Sequence, residues 1–245
     1  MKLQGVKVLL TGGTSGIGLH TVEALLLEGA HVIVAARDAG KLAGLSSKYE
    51  LAGTYVCDLG SPEAVVELGG KLSLEHPDLQ VLINNAGTQL DIRFDSEQST
   101  PLTIESELRT NLLAPLLLTR ALLPVLKGQP EAAIVNITSG LALAPKTQSA
   151  VYCSSKGGLR IFTQGLRNQL QGTGVRVIEV LPPVVDTAMT AGRGRNKLSP
   201  ATVAGAIIRS IKGRKNEIYV SKTRLLYWLL RISPSIARNI MRRLG

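Results

Sequence analysis

The sequence predicts a single α/β domain built on a seven-stranded, doubly wound parallel sheet, followed by a basic amphipathic tail. Three observations predict it. Short, β-branched apolar runs alternate with longer stretches of helical periodicity from residue 6 to about residue 220. The chain is 44% hydrophobic but only 3% aromatic, so its core is aliphatic, as strands buried on both faces require. Its 245 residues suit one core, and no linker composition divides them.

Residues 6–10 read as the first buried strand. Thr11-Gly12-Gly13-Thr14-Ser15-Gly16-Ile17-Gly18 follows directly, and a helical pattern then runs to about Glu28. In such a strand–turn–helix unit the glycines allow close backbone approach, and the helix N-terminus offers free N–H groups to an anion; a merely tight connection is the alternative. Residues 31–36 form the second strand, with Arg37-Asp38 after it. In a dinucleotide-binding fold this strand end meets the adenosine ribose, where an acid suits a 2′-hydroxyl and an arginine a 2′-phosphate. Ala36 stands where the acid is expected and Arg37 comes next, which favours NADP; a solvated Arg37 pairing with Asp38 is the other reading.

Residues 54–57 are the third strand, ending in Asp58-Leu59, and Ser61-Pro62-Glu63 opens a helix by N-cap and N1 proline. Asp58 is placed to accept a bond from an adenine amine or from local backbone N–H groups. Residues 81–83 lead into Asn84-Asn85-Ala86-Gly87, where the amides can brace neighbouring strands and Ala86-Gly87 leaves room for a flat ligand. Residues 89–100 read as a polar loop. Residues 102–126 read as a long helix that contains Asn111 and is bent at Pro115 and Pro124. The fifth strand, 132–137, runs into Thr138-Ser139, and the sixth, 175–181, into Pro182-Pro183-Val184-Val185-Asp186-Thr187. Ser199-Pro200 caps a helix to about residue 211, and 217–220 is the seventh strand.

Between the fifth and sixth strands lies Tyr152-Cys153-Ser154-Ser155-Lys156, opening a helix that runs to about Leu170. A spacing of four puts the phenol and the ammonium on one face. A nearby cation lowers a phenol's pKa toward working pH, which general acid–base catalysis needs. A surface lysine lying beside a half-buried tyrosine is the plain alternative.

Cys57 and Cys153 are the only cysteines, so no disulfide framework or zinc spacing is present, and the three histidines form no ligand pattern. A metal site is not expected. These features, with no signal peptide and no 18-residue apolar run, point to the cytoplasm. The formal charge of +10 is uneven: residues 1–187 carry 15 Lys/Arg against 17 acids, whereas residues 188–245 carry 13 Lys/Arg and one acid, Glu217. Nucleic-acid binding through that end is disfavoured because stacking aromatics are not interleaved with the cations.

Taken in order, these motifs resemble those of the short-chain dehydrogenase/reductase family over about residues 5–220. The glycine turn matches as Thr11-Gly12-x-x-x-Gly16-x-Gly18, the strand end as Asn84-Asn85-Ala86-Gly87, and the catalytic set as Asn111, Ser139, Tyr152 and Lys156, with Ser139 thirteen residues before Tyr152. The resemblance implies a Rossmann-like domain over 1–221 and hydride transfer between NADP(H) and a small-molecule carbonyl or alcohol. Tyr152 would exchange the proton, Ser139 would hold the substrate oxygen, Lys156 would bond the nicotinamide ribose, and Asn111 would anchor a water. Gly12, Thr14, Ser15, Ile17 and Gly18 would line the pyrophosphate, with Arg37, Asp58, Leu59, Asn85, Ala86, Gly87, Tyr152, Lys156, Val185 and Thr187 completing the cofactor site. Pro182-Pro183 stands where the family usually has Pro-Gly. A non-catalytic dinucleotide sensor or scaffold is the competing reading, but its expected mark is a damaged catalytic set. The long helices that begin near residues 102 and 152 pair across a two-fold axis in the family, which implies a homodimer or homotetramer.

The nucleotide chemistry does not require residues 222–245. They read as two short helices around Ser233-Pro234, with Arg224, Arg231, Arg238 and Arg242 on one side and Leu225, Leu226, Leu229, Ile232, Ile236, Ile240 and Leu244 on the other. The apolar side is expected to pack on protein, at the substrate pocket or a neighbouring subunit, or to lie in a membrane interface as a peripheral contact, which fits a lipid-like substrate. The short basic segment Gly192-Arg193-Gly194-Arg195 is expected to lie over the pocket, as a lid or as a solvated loop.

Overall fold

The computed structural model describes residues 1–192, 194 and 196–243. Strands β1 (Lys7–Thr11), β2 (His31–Ala36), β3 (Gly53–Val56), β4 (Leu79–Asn84), β5 (Ala132–Ile137), β6 (Val175–Leu181) and β7 (Glu217–Tyr219) form one sheet in the order β3-β2-β1-β4-β5-β6-β7. Every neighbouring pair is parallel.

Strand side chains alternate between two cores. Val8, Leu10, Val32, Val34, Val81 and Ile83 join one apolar cluster, and Leu9, Ile33, Ala35, Leu79 and Leu82 join the other. The first cluster is closed by α1 (Gly16–Leu27), α2 (Ala39–Lys48) and α7 (Pro200–Lys212), through Val22, Leu25, Leu42, Ile207 and Ile211. The second is closed by α3 (Pro62–Glu75), α5 (Ala114–Gly128) and α6 (Ala150–Gln169), through Val65, Leu72, Leu118, Leu122 and Leu166. Each such side chain, fully buried, contributes about 1.5–3 kcal/mol. Burial on both faces explains why the central strands read as continuous aliphatic runs.

Helix α2 has no counterpart in the sequence reading, because Gly40 and Gly44 weaken its propensity. Two features form it. The Asp38 carboxylate caps it by accepting the Lys41 N–H at 2.9 Å, and Leu42 and Leu45 are buried on one face. Asp38 therefore pairs with Lys41 (3.8 Å), and the alternative in which it pairs with Arg37 does not hold.

The long helix expected over 102–126 is three pieces: α4 (Pro101–Leu108), a π-helical turn at Arg109–Leu113, and α5. In the turn the Ala114 N–H reaches back five residues to the Arg109 carbonyl. Pro115 has no N–H, so the α-helical ladder loses a rung here, and a π-turn takes up the register change. By length and composition alone, 101–128 could cross a membrane. Leu118, Leu122 and Leu126 instead bury its inner side against the sheet.

Ser61 and Ser199 cap α3 and α7 as read from sequence, accepting the N–H groups of Ala64 and Thr202. The tail forms α8 (Lys222–Ile232) and α9 (Pro234–Arg243), broken at Ser233-Pro234. Arg193, Arg195 and Leu244, which entered the expectations for the basic loop and the tail, lie outside the described residues.

Candidate active site

The strand order reverses direction between β1 and β4, which opens a crevice at their C-terminal ends. Thr11 ends β1, and its Oγ1 accepts the backbone N–H groups of Asn85 and Ala86, each at 3.1 Å. The Asn85 amide in turn donates to the carbonyls of Thr11 (3.0 Å) and Gly12 (3.2 Å). The glycine turn is thus stitched to the end of β4. Gly12 has φ +71, and a Cβ on it would stand 2.9 Å from the Ala86 Cα. A Cβ on Gly18 would stand 2.0 Å from the Gly12 carbonyl oxygen, so only glycine lets α1 start this close to the turn.

Ser15 precedes α1 without a side-chain cap, and no acid lies in the first turn. The N–H groups at Gly16, Ile17 and Gly18 therefore meet no side-chain acceptor, which fits a phosphate. Thr14 is half-buried and Ser15 exposed beside them. Across the crevice the Thr187 methyl lies 3.0 Å from where a Cβ on Gly16 would stand, and Val185 is buried and bridged to Leu198. Arg37 lies exposed just past β2, with no bonded partner among the described residues. Asp58 is exposed, with Oδ1 taking the Gly60 N–H at 2.9 Å as the local-bonding reading has it, and Leu59 is buried in the core beside it.

At the other end of the crevice stand the four candidate catalytic residues, all buried. Asn111 sits in the π-turn. Its Nδ2 donates to the Thr88 carbonyl (2.8 Å) and to Ser155 Oγ (3.2 Å), and its Oδ1 accepts the Thr88 N–H (2.8 Å). Lys156 Nζ donates to the carbonyl of Ile137, two residues before Ser139, at 3.0 Å. A Cβ on Gly87 would lie 3.1 Å from Asn111 Oδ1 and 3.4 Å from Lys156 Nζ, so the two head groups converge where a side chain is missing. Ser139 Oγ accepts the Leu141 N–H (3.1 Å), and the next residue, Gly140, donates to the Pro182 carbonyl (2.8 Å). The first proline of the double-proline loop thereby anchors the serine turn.

Burial lowers the Lys156 pKa to about 8, with Glu107 acting against the shift. Glu107 was not anticipated. It is almost wholly buried one helical turn before Asn111, and its Oε1 accepts the Leu90 N–H at 3.0 Å. Glu107 and Asn111 together hold the 88–90 segment. Farther along that loop Asp91 pairs with Lys146 and accepts the Ser149 hydroxyl, which ties the loop to the segment leading into α6.

The bracing role expected of the Asn84 amide is present. Asn84 and Asn136 face each other in register, Asn84 Nδ2 donating to Asn136 Oδ1 (2.8 Å), and Asn136 Nδ2 continuing to Thr163 Oγ1 (2.8 Å). A second buried link joins Arg160 on α6 to Glu179 on β6, and Thr138, beside Ser139, donates to Glu179 at 2.7 Å. Among the described residues no cluster of histidine, cysteine and acidic side chains could hold a metal ion.

Residues 6–198 match the family model for short chain dehydrogenases. The chain is 41% identical over 192 residues to the uncharacterized oxidoreductase DltE of Bacillus subtilis (strain 168), covering 77% of this chain and 75% of that protein. It is 31% identical over 261 aligned positions to the ketoacyl reductase HetN of Nostoc sp., covering 99% and 90% of the two chains. Among solved structures it is similar to a short chain dehydrogenase from Burkholderia cenocepacia J2315 in complex with NADP, with a TM-score of 0.89, 26% identity, and coverage of 98% and 99%.

Proposed function

The chain belongs to the short-chain dehydrogenase/reductase family and is an oxidoreductase of that family; from that premise we propose that it moves a hydride between NADP(H) and a carbonyl or secondary alcohol, with Tyr152 as general acid and base. The observation that carries this reading is the convergence of Asn111 Oδ1 and Lys156 Nζ on Gly87, at the edge of a crevice whose other end is shaped for phosphates. NADPH, when bound, supplies the hydride. Gly12, Thr14, Ser15, Ile17 and Gly18 hold its pyrophosphate, Arg37 its 2′-phosphate, and Asp58, Leu59, Asn85, Ala86, Gly87, Val185 and Thr187 the remaining contacts.

In the reducing direction Tyr152 gives its proton to the substrate oxygen, which Ser139 holds by a hydrogen bond. Lys156, charged at neutral pH, stabilises the phenolate that remains and bonds the nicotinamide ribose. Asn111 anchors a water that returns a proton toward Lys156. Pro115 supports this role, because it cannot send the N–H that an α-helix would place on the Asn111 carbonyl.

Residues 1–221 are the catalytic domain, working in the cytoplasm, and 222–245 are an appended tail. Two buried free thiols agree with a reducing compartment. Leu102, Leu113 and Ile161 stand exposed on the helical layer over 101–169, which supports assembly of two or four copies through it. The test of function is NADPH oxidation over a panel of 3-oxoacyl thioesters, simple ketones, steroids and sugars. The similarity to a ketoacyl reductase puts the 3-oxoacyl thioesters first. Steady turnover with at least one class is expected; tight NADPH binding with no turnover on any would favour a sensor or scaffold.

A further inference from the structure

Helices α8 and α9 present two unlike sides. On the inner side Thr223, Ala237 and Met241 are buried, Tyr227 stacks on Tyr219 of β7 at 4.2 Å, and the Arg242 carbonyl accepts the Thr147 hydroxyl at 3.0 Å. On the outer side Leu225, Trp228, Ile232, Ile236 and Ile240 are exposed, from 45% for Ile240 to 80% for Ile232. The broad apolar stripe read from the sequence is thus divided. Leu226 and Leu229 are half-buried, while these five side chains face solvent within residues 225–240. A helix face that already has its inner contacts and still presents five large apolar groups is an interaction surface.

Charge selects the occupant. Residues 222–245 hold six Lys/Arg and no acid. Arg224, Arg231, Arg238, Arg242 and Arg243 are all exposed, and no carboxylate among the described residues pairs with them. A second copy of this face would add six more cations and no counter-charge. Residues 1–187 come close to charge balance, with 17 acids against 15 Lys/Arg, so another copy's main domain brings little net counter-charge. An anionic lipid surface supplies both requirements, acyl chains for the apolar groups and phosphates for the arginines. The chain's only tryptophan, Trp228, lies on this face, and an indole favours the water–lipid boundary.

We propose that α8 and α9 dock the protein on an anionic membrane surface, with Leu225, Trp228, Ile232, Ile236 and Ile240 set into the headgroup–acyl boundary and the arginines on the phosphates. The inference is independent of the catalytic reading. If both hold, the docked tail is bonded directly to the segment that joins Ser139 to Tyr152, through Thr147.

The test uses the full chain and phosphatidylcholine vesicles with or without phosphatidylglycerol. Trp228 is the built-in reporter. With phosphatidylglycerol at low salt, the protein should float with the vesicles and its tryptophan emission should shift to the blue. Neutral vesicles or high salt should abolish both effects. The Ile232→Glu/Ile236→Glu double variant changes only exposed positions, so it should keep the wild-type melting temperature and lose at least about tenfold in vesicle affinity. Absence of flotation and of any emission shift at low salt overturns the proposal. So does undiminished vesicle binding by the folded double variant. A dimer that the double variant disperses, with tryptophan emission indifferent to vesicles, would assign the face to a second copy instead.

Discussion

Asn111 and Thr88 are joined twice: the Thr88 N–H donates to Asn111 Oδ1 and Asn111 Nδ2 donates to the Thr88 carbonyl, both at 2.8 Å. The pair fastens the loop after β4 to the π-turn, and the third bond of Asn111, to Ser155, carries the connection to the residue before Lys156. One side chain therefore sets the distance between the crevice floor at Gly87 and the catalytic helix. Asn111→Ala would leave both Thr88 backbone groups without their partner, at a cost on the order of 2 kcal/mol. We expect a lower denaturant midpoint together with a lower kcat. A variant with wild-type stability and wild-type kcat would show that the pair positions nothing.

Arg37 stands exposed past β2 and bound to no other side chain among the described residues. A guanidinium in that position can take a 2′-phosphate through two hydrogen bonds. NADPH should bind more tightly than NADH, and Arg37→Ala should weaken NADPH by about tenfold or more while leaving NADH nearly unchanged. Titration of cofactor fluorescence checks it. Equal affinities for the two cofactors in the unmutated protein would contradict the assignment.

Lys156 has a definite pH signature. Burial lowers its pKa from 10.5 to about 8. The unfolded chain keeps that proton up to the higher value and the folded protein only up to the lower one. Between them the unfolded state binds more protons, so folding stability rises with pH across that window. The total gain is about 3 kcal/mol, and Lys156→Met lacks it. Unfolding free energies of the two proteins should therefore diverge in favour of the wild type as pH rises from neutral to about 10.5. A difference that stays constant with pH would mean that Lys156 titrates normally. The same proton loss should lower the reductive rate above pH of about 8, as the phenolate loses its cation.

Much of the fold was legible because central parallel strands buried on both faces leave unmistakable aliphatic runs; the edge strands β3 and β7 are only partly buried and leave weaker ones. The crevice was legible where chemistry requires a particular backbone: Gly12 and Gly18 can be nothing else where a Cβ would strike Ala86 or the Gly12 carbonyl. Other features depend on tertiary contacts that no local pattern encodes. Helix α2 is glycine-weakened and forms through one cap and two buried leucines. The π-turn holds Asn111 against Thr88, a contact between residues far apart in sequence. Glu107 belongs to no motif in the sequence, and only its burial beside Lys156 marks it as part of the site. The tail's apolar stripe was visible, but its division into an inner and an outer side depends on how β7 and Thr147 receive it.

The central claim is that Tyr152 moves the proton. Tyr152→Phe keeps the ring and removes only the hydroxyl, so it tests that step without emptying the core. The direct measurement is single-turnover oxidation of enzyme-bound NADPH, mixed with a carbonyl that the wild type reduces, alongside the NADPH dissociation constant of each protein. The account predicts a rate slower by a factor of about 10² or more with cofactor affinity essentially unchanged. A variant that turns over at close to the wild-type rate would contradict it.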